Sequence, residues 1–214
     1  AAEQAGGGKV YLQLEPKVAA VGAGLDIFKP QGNMVIDIGG GTSDIAVISM
    51  GDIVTSRSLR FAGDKMTGAI QAYIKQHHSL IIGERTAEQI KMEIGCVMDA
   101  DEEKTFSASG IDIVSGLPKE ITTNEVEIQD ALADGVEQIV NAARNVLEQT
   151  PPELSGDIID RGIMLTGGGA LLKNLDKLLS EKLQVPVLLT DSPLDSVALG
   201  TGVLLDNIEK HKKY

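Results

Sequence analysis

Glycine stands three in a row at Gly39-Gly40-Gly41 and again at Gly167-Gly168-Gly169, and what flanks each triplet restricts the fold more than any other feature of the chain. The first lies between two β-branched runs, Met34 to Ile38 and Thr42 to Met50, with a third, Val54 to Phe61, beyond Gly51-Asp52. Connections that short between extended segments predict antiparallel hairpins, a β-meander with no helix inside it. The second triplet has the opposite surroundings. An apolar strand from Gly162 to Thr166 runs into it, and a helix from Ala170 to about Leu183 is expected to leave it, followed by a strand from Val185 to Thr190 and a last helix to Lys210. A fold that holds a meander and a strand–glycine–helix–strand unit together belongs to the α/β class.

The other segments fit around these two turns. Ala1 to Gly8 reads as the tail of a helix that ends in glycines, Lys9 to Leu14 as a strand, and Glu15-Pro16 as the start of a helix through Val21 that stops at Gly22 and Gly24, since proline suits the first helical position. From Asp64 the apolar residues Met66, Ala69, Ile70, Tyr73 and Ile74 recur at helical spacing. Thr86 with Gln89, and Thr122 with Glu125, have the spacing of capping boxes at the starts of two further helices. The second of these carries a long stripe, Ile128, Leu132, Val136, Ile139, Val140, Ala143, Val146 and Leu147, and ends at Pro151-Pro152. Between them an acidic loop, Asp99 to Lys104, precedes strands at Thr105 to Val114 and Lys119 to Thr122. Residues 65–135 are therefore expected to form a small α+β subdomain inserted into a core built from residues 1–64 and 136–214.

Composition excludes several classes. A net charge of −12 opposes nonspecific binding to nucleic acid, and no apolar run approaches the roughly 18 residues of a membrane span. The first residues lack the charged-then-apolar order of a secretory signal, so a cytosolic protein or fragment is expected. Cys96 has no second cysteine to pair with and reads as a small core residue, while His77 and His78 read as a solvated helix end without metal-ligand spacing. On so acidic a chain, a site for an anionic ligand has to be made from backbone N–H groups and metal ions.

Four groups of residues have the chemistry for such a site, and each has a structural reading beside the functional one. Gly39, Gly40, Gly41 and Thr42 form either a tight hairpin or a nest of N–H groups for phosphate, with Asp37 placed to hold Mg²⁺ through water. The spacing fits neither a P-loop nor a dinucleotide fingerprint, both of which need a helix directly after the glycines. Gly167, Gly168, Gly169 and Ala170 permit either close helix–strand packing or a ribose and heterocycle against bare backbone at the carboxyl end of a strand. Glu15 is either a first-turn acid stabilising its helix by roughly 0.3–1 kcal/mol or the acceptor that orients a water for attack on a phosphate. Glu88, Gln89, Ile90 and Lys91 lie on a helix face with an ordinary charge pattern.

Longer stretches carry a resemblance. Glu15-Pro16 with Ala19-Ala20, Asp37 to Thr42, Gly83 to Gly95, Thr150-Pro151-Pro152-Glu153-Leu154 and Asp160 to Leu172 are similar to the MreB/Mbl family of bacterial rod shape-determining, actin-like proteins. The resemblance implies an actin-like ATPase of two ribonuclease-H-like lobes with ATP or ADP and Mg²⁺ between them, of which this chain would be the second lobe and the N-terminal lobe would be absent. It assigns Gly39 to Thr42 to a phosphate loop, Glu15 to the catalytic carboxylate, Glu88 to Lys91 to adenosine, and Gly167 to Ala170 to the adenine and ribose side. It implies self-association into filaments, work with a membrane-bound cell-elongation machinery at the inner face of the cell membrane, and membrane contact through the missing half. This lobe alone is expected to be inactive as an ATPase. Departures from the family pattern are Leu14 before Glu15-Pro16, Lys17 after it, Ser43-Asp44, and Thr67. Two other readings stand beside it: a small-molecule kinase of the same superfamily, and an assembly module with no nucleotide affinity.

Overall fold

A computed structural model describes the backbone of residues 2–211 and side chains as far as Asn207. Its elements are α1 (Glu15–Gly22), β1 (Asn33–Ile38), β2 (Ser43–Ser49), β3 (Asp52–Leu59), α2 (Gly63–His78), β4 (Leu80–Ile81), α3 (Glu84–Ile94), β5 (Thr105–Asp112), β6 (Pro118–Asn124), α4 (Glu125–Glu148), α5 (Pro152–Arg161), β7 (Ile163–Thr166), a 3-10 turn (Gly168–Leu171), α6 (Leu175–Leu183), β8 (Val187–Leu189) and α7 (Ser196–His211). The α/β expectation holds. Five strands form one sheet in the order β3-β2-β1-β7-β8, with β1–β2 and β2–β3 antiparallel and β1–β7 and β7–β8 parallel. The meander and the strand–turn–helix unit thus meet along β1 and β7, whose carboxyl ends lie side by side with Asp37 opposite Thr166.

Strand alternation decides which helix sees which residue. Met34, Ile36 and Ile38 of β1, with Ile45 and Val47 of β2, enter a core shared with α2, α3, α4 and α6. Val35, Ala46 and Ile48 turn the other way and pack with Val18, Ala19, Ala20 and Val21 of α1 and Leu204 of α7. Asp37 and Asp44 are cross-strand partners, and by parity they share the α1 face.

A second sheet, β4-β5-β6, is antiparallel throughout and lies within 65–135. Boundaries at 64/65 and 135/136 fall inside α2 and α4, so two continuous helices join the small sheet to the large one. One apolar core runs through both, from Ala108 and Ile90 to Leu165 and Leu179.

Several local expectations are corrected. Lys9 to Leu14 pairs with no strand among the described residues, and Ala2 to Gly6 is a run of turns instead of a helix end. Leu12 is 90% exposed, and Leu14 O is taken up by the first turn of α1, accepting from Lys17 N–H and Val18 N–H. Helix α3 starts at Glu84 behind Gly83, two residues before the Thr86/Gln89 box, and Asn124, not Thr122, caps α4 by accepting the Glu127 N–H at 3.0 Å. The helix expected from Ala170 divides into a 3-10 turn and α6 because Asn174 is left-handed at φ 65°. Residues after Pro152 form α5, which the sequence reading did not anticipate. Nor is His78 simply solvated: it lies within 3.0 Å of a Glu127 carboxylate oxygen, and His77 stacks on Tyr73. Cys96 is buried, as expected, and its thiol donates to Met98 O.

Candidate functional site: a cleft between two glycine turns

The carboxyl ends of β1 and β7 open into a cleft of about 870 Å³. Gly39 and Gly40 form one part of its lining, and Gly168 and Gly169 another. The opposite wall comes from the start of α2, with Gly63 and Asp64, and from the face of α3 that carries Glu84, Arg85, Glu88, Lys91 and Met92. Leu171, Leu172 and Leu194 make the apolar end.

Each triplet leaves amides without an acceptor. In the first, Gly39 N–H donates to Thr42 O at 2.9 Å, closing the hairpin, while the amides of Gly63 and Asp64 donate to Gly39 O and Gly40 O at 3.0 and 2.8 Å. The start of α2 therefore holds the glycine turn by its carbonyls. No hydrogen bond is formed by the amides of Gly40 and Gly41 within the described residues, and this is the arrangement an anion needs. In the second triplet, Gly167 N–H donates to Pro193 O at 3.0 Å, and among the described residues the amides of Gly168 and Gly169 have no partner.

The second triplet is glycine for reasons of space. A Cβ on Gly167 would lie 2.3 Å from Ile38 O, and one on Gly169 would lie 2.2 Å from Ile38 Cγ2. Gly167 also has φ 86° and ψ 164°, a region closed to side chains. The end of β1 is thus pressed against the turn after β7. A Cβ on Gly168 would meet only Leu194 Cδ2, at 3.2 Å, so this residue faces the cleft.

On α3, Lys91 is a bracket. Its ammonium donates to Gly63 O and Thr67 Oγ1, both at 3.0 Å, and pairs with Glu88 Oε2 at 2.7 Å. Thr67 Oγ1 lies 2.5 Å from the same carboxylate oxygen. Burial raises the Glu88 carboxyl, but the hydrogen bonds from Lys91 and Thr67 outweigh it and leave it below its ordinary value. Glu88 is thereby fixed as an ionised acceptor at the cleft wall.

Of the residues singled out in the sequence, Gly39, Gly40, Glu88, Lys91, Gly168 and Gly169 line one cavity. Ile90 and Ala170 do not: both are buried in the core, where α3 packs on α2 and β5 and the 3-10 turn packs on β1. Gln89 is exposed on the outer side of α3. Gly167 supports the turn from behind. Gly41 and Thr42 are exposed at the hairpin tip, outside the cavity lining, with Thr42 Oγ1 donating to Asp44 at 2.8 Å. Sequence reasoning missed Asp64, Arg85, Met92, Leu171 and Leu194. The available signal was Gly63-Asp64 at a helix start and Glu84-Arg85 in the first turn of the next helix.

Glu15, the first residue of α1, is near enough for its charge to act on Asp37, and neither residue is in the cleft lining. Asp37 is 4% exposed, and its pKa is raised from 3.8 to about 6, first by burial and then by the charges of Glu15 and Asp44. Because the folded chain prefers the protonated form, the contribution of this group to stability is full below pH 3.8 and is lost as pH rises through about 6. Asp37→Asn is accordingly expected to stabilise the ligand-free chain by about 2 kcal/mol at pH 7.5 and by almost nothing at pH 3.5. Urea denaturation of both forms at the two pH values checks this, and a gain that does not change with pH would contradict it.

Comparison with known proteins follows the same residues. The MreB/Mbl protein family model matches residues 1–213. Cell shape-determining protein Mbl of Bacillus subtilis (strain 168) is 60% identical over 213 residues, covering all of this chain and 64% of the relative. Cell shape-determining protein MreB of Escherichia coli (strain K12) is 46% identical over 210 residues, 98% of this chain and 60% of the relative. The crystal structure of MreB5 of Spiroplasma citri bound to AMPPNP superposes with a TM-score of 0.95 at 42% identity, covering 99% of this chain and 64% of that one, and its ADP-bound structure does so equally well. The chain thus spans less than two thirds of the length of each of these relatives.

Proposed function

This chain belongs to the MreB/Mbl protein family and has its actin-like fold, and on that premise we propose that it is the nucleotide-binding lobe of a filament-forming protein that determines cell shape. ATP or ADP would lie in the cleft between the glycine turns. The observation that carries the reading is the convergence of two turns, each with unpartnered amides, on one cavity whose other wall is α3. Nucleotide bound to the Spiroplasma citri relative supports it.

Each part of the cleft has a chemical task in this reading. Gly40 and Gly41 present N–H groups to the phosphates, a backbone device that suits an acidic protein. Bare backbone at Gly168 and Gly169 takes the base and ribose, with Leu171 and Leu194 excluding water and Glu88 accepting from a ribose hydroxyl or a base amine. Among the described residues no three His, Cys, Asp or Glu side chains are placed to grip a metal directly. Asp37, with Asp44 opposite it on β2 and the charge of Glu15 near, is the carboxylate that would hold Mg²⁺ through its waters. The ion would supply positive charge to the phosphate oxygens. Glu15 orients the attacking water once a second lobe closes the cleft, so hydrolysis belongs to the full-length protein.

We extend the reading to the whole protein: 65–135 is a small inserted subdomain on the core made by 1–64 and 136–214, the protomers self-associate, and the filament works with the cell-elongation machinery at the inner face of the cell membrane. Equilibrium binding of Mg-ATP to this chain tests the premise. One saturable site is expected, weakened about 10-fold or more when Mg²⁺ is chelated. Absence of nucleotide binding by a chain that still associates with the full-length protein would support the assembly-module reading instead.

A further inference from the structure

Besides the contacts of α2 with the first glycine turn, the two walls of the cleft meet where α3 ends. Helix α3 ends at Ile94, and a Cβ on the next residue, Gly95, would lie 2.8 Å from Leu172 Cδ1. Leu172 is the last cleft-lining residue of the opposite wall before Lys173. From this point the strands of chain are stapled together. Lys173 N–H donates to Gly95 O at 3.3 Å, Val97 N–H donates to Lys173 O at 3.2 Å, and Asn174 Nδ2 donates to Met98 O at 2.7 Å. These are two backbone bonds and one side-chain bond, between segments joined only by an isolated bridge at Cys96 and Lys173 and outside the two described sheets.

What anchors the staple is a carboxylate from a third element. Glu125, the first residue of α4, is 1% exposed, and it receives the Lys173 ammonium on both oxygens, at 2.9 and 2.6 Å. Its second oxygen also accepts Asp101 N–H at 3.0 Å, and Lys104 Nζ stands 3.4 Å from the first. The Glu125 N–H donates to Lys104 O. A buried carboxylate with this many donors has one position, and through Lys173 it fixes where the segment after the glycine turn lies against the segment after α3. None of these atoms lines the cleft.

We infer that the Glu125–Lys173 pair is a positioning clamp that sets the separation of α3 from the 168–172 turn, and with it the width of the slot between them. As applied to nucleotide it rests on the cleft reading above, and it assigns the clamp to the base and ribose end and not to the phosphate end, which the contacts of Gly39 and Gly40 with α2 fix independently.

The test uses this chain with Glu125→Gln, which removes the charge but keeps the shape, and with Lys173→Arg as the conservative partner. Lysine 173 keeps 36% of its side chain exposed, so water can take over its charge in the first variant. Two measurements are made. In the ligand-free chain, amide hydrogen exchange at Lys173 and Val97 is expected to speed up about 10-fold in Glu125→Gln, while Val35 and Ile36 in β1 keep their rates. In binding, Mg-ATP is expected to weaken about 10-fold and Mg-tripolyphosphate, which has no base, to stay within about twofold. Lys173→Arg, which still reaches both carboxylate oxygens, is expected to match wild type in both. Unchanged exchange at Lys173 and Val97, or exchange rising equally in β1, overturns the clamp; so does an equal loss of ATP and tripolyphosphate affinity. If the unmodified chain binds no ATP, the nucleotide reading fails, and the exchange rates still decide the clamp.

Discussion

Glu15→Ala in the full-length protein is expected to slow ATP hydrolysis by about 10²- to 10⁴-fold while leaving ATP affinity nearly unchanged. Glu15 opens α1, is exposed, and accepts no hydrogen bond within the described residues, so its lone pairs remain available to a water. Proline at the next position fixes the first turn and with it the direction of the carboxylate. Glu15 is not among the residues that line the cleft, which fits an effect on turnover and not on binding. Glu15 is also one of the charges that raise the Asp37 pKa, and its removal should lower that value, which offers an internal control. Phosphate release measured beside nucleotide affinity checks the assignment. Unaltered release in a variant that binds ATP would remove Glu15 from the reaction.

The second large effect separates the first two glycines of the triplet after β7. Gly167→Ala is expected to destabilise the chain by roughly 3 kcal/mol or more, because a methyl group there adopts a backbone region closed to it and meets the backbone carbonyl of Ile38, directly after the Asp37–Thr166 pair of β1 and β7. Gly168→Val is expected to leave stability within about 1 kcal/mol, since among the described residues a Cβ there meets only the 70% exposed Leu194. It fills the slot, however, and should weaken Mg-ATP about 100-fold. Urea denaturation and nucleotide binding on both variants resolve the pair. The reverse ranking would mean that the glycines serve packing alone.

Much of this was legible in the residues, and what was not has a physical reason. Short glycine connections between β-branched runs were sufficient for the meander, because no helix fits between Ile38 and Thr42. The pairing of β1 with β7 is a contact between residues more than a hundred positions apart, and only the family resemblance hinted that both turns serve one cavity. Ile90 and Gln89 show the limit of transferring a helical block as a unit: one face of α3 lines the cleft with Glu88 and Lys91, and the neighbouring positions turn to the core and to solvent. Capping boxes were misplaced because Gly83 and Asn124, closer to the true helix starts, won over the Thr–Gln and Thr–Glu spacings. The Glu125–Lys173 pair could not have been found, since nothing local distinguishes either residue from a solvated charge.

The Mg-ATP titration followed at residue resolution, through the backbone amide resonances of this chain, tests the central claim most directly. Shifts concentrated at Gly40, Gly41, Gly168 and Gly169, with weaker ones along α3 from Arg85 to Met92, are the predicted result. Saturating nucleotide that perturbs neither glycine turn, or only one of them, would contradict a shared cleft.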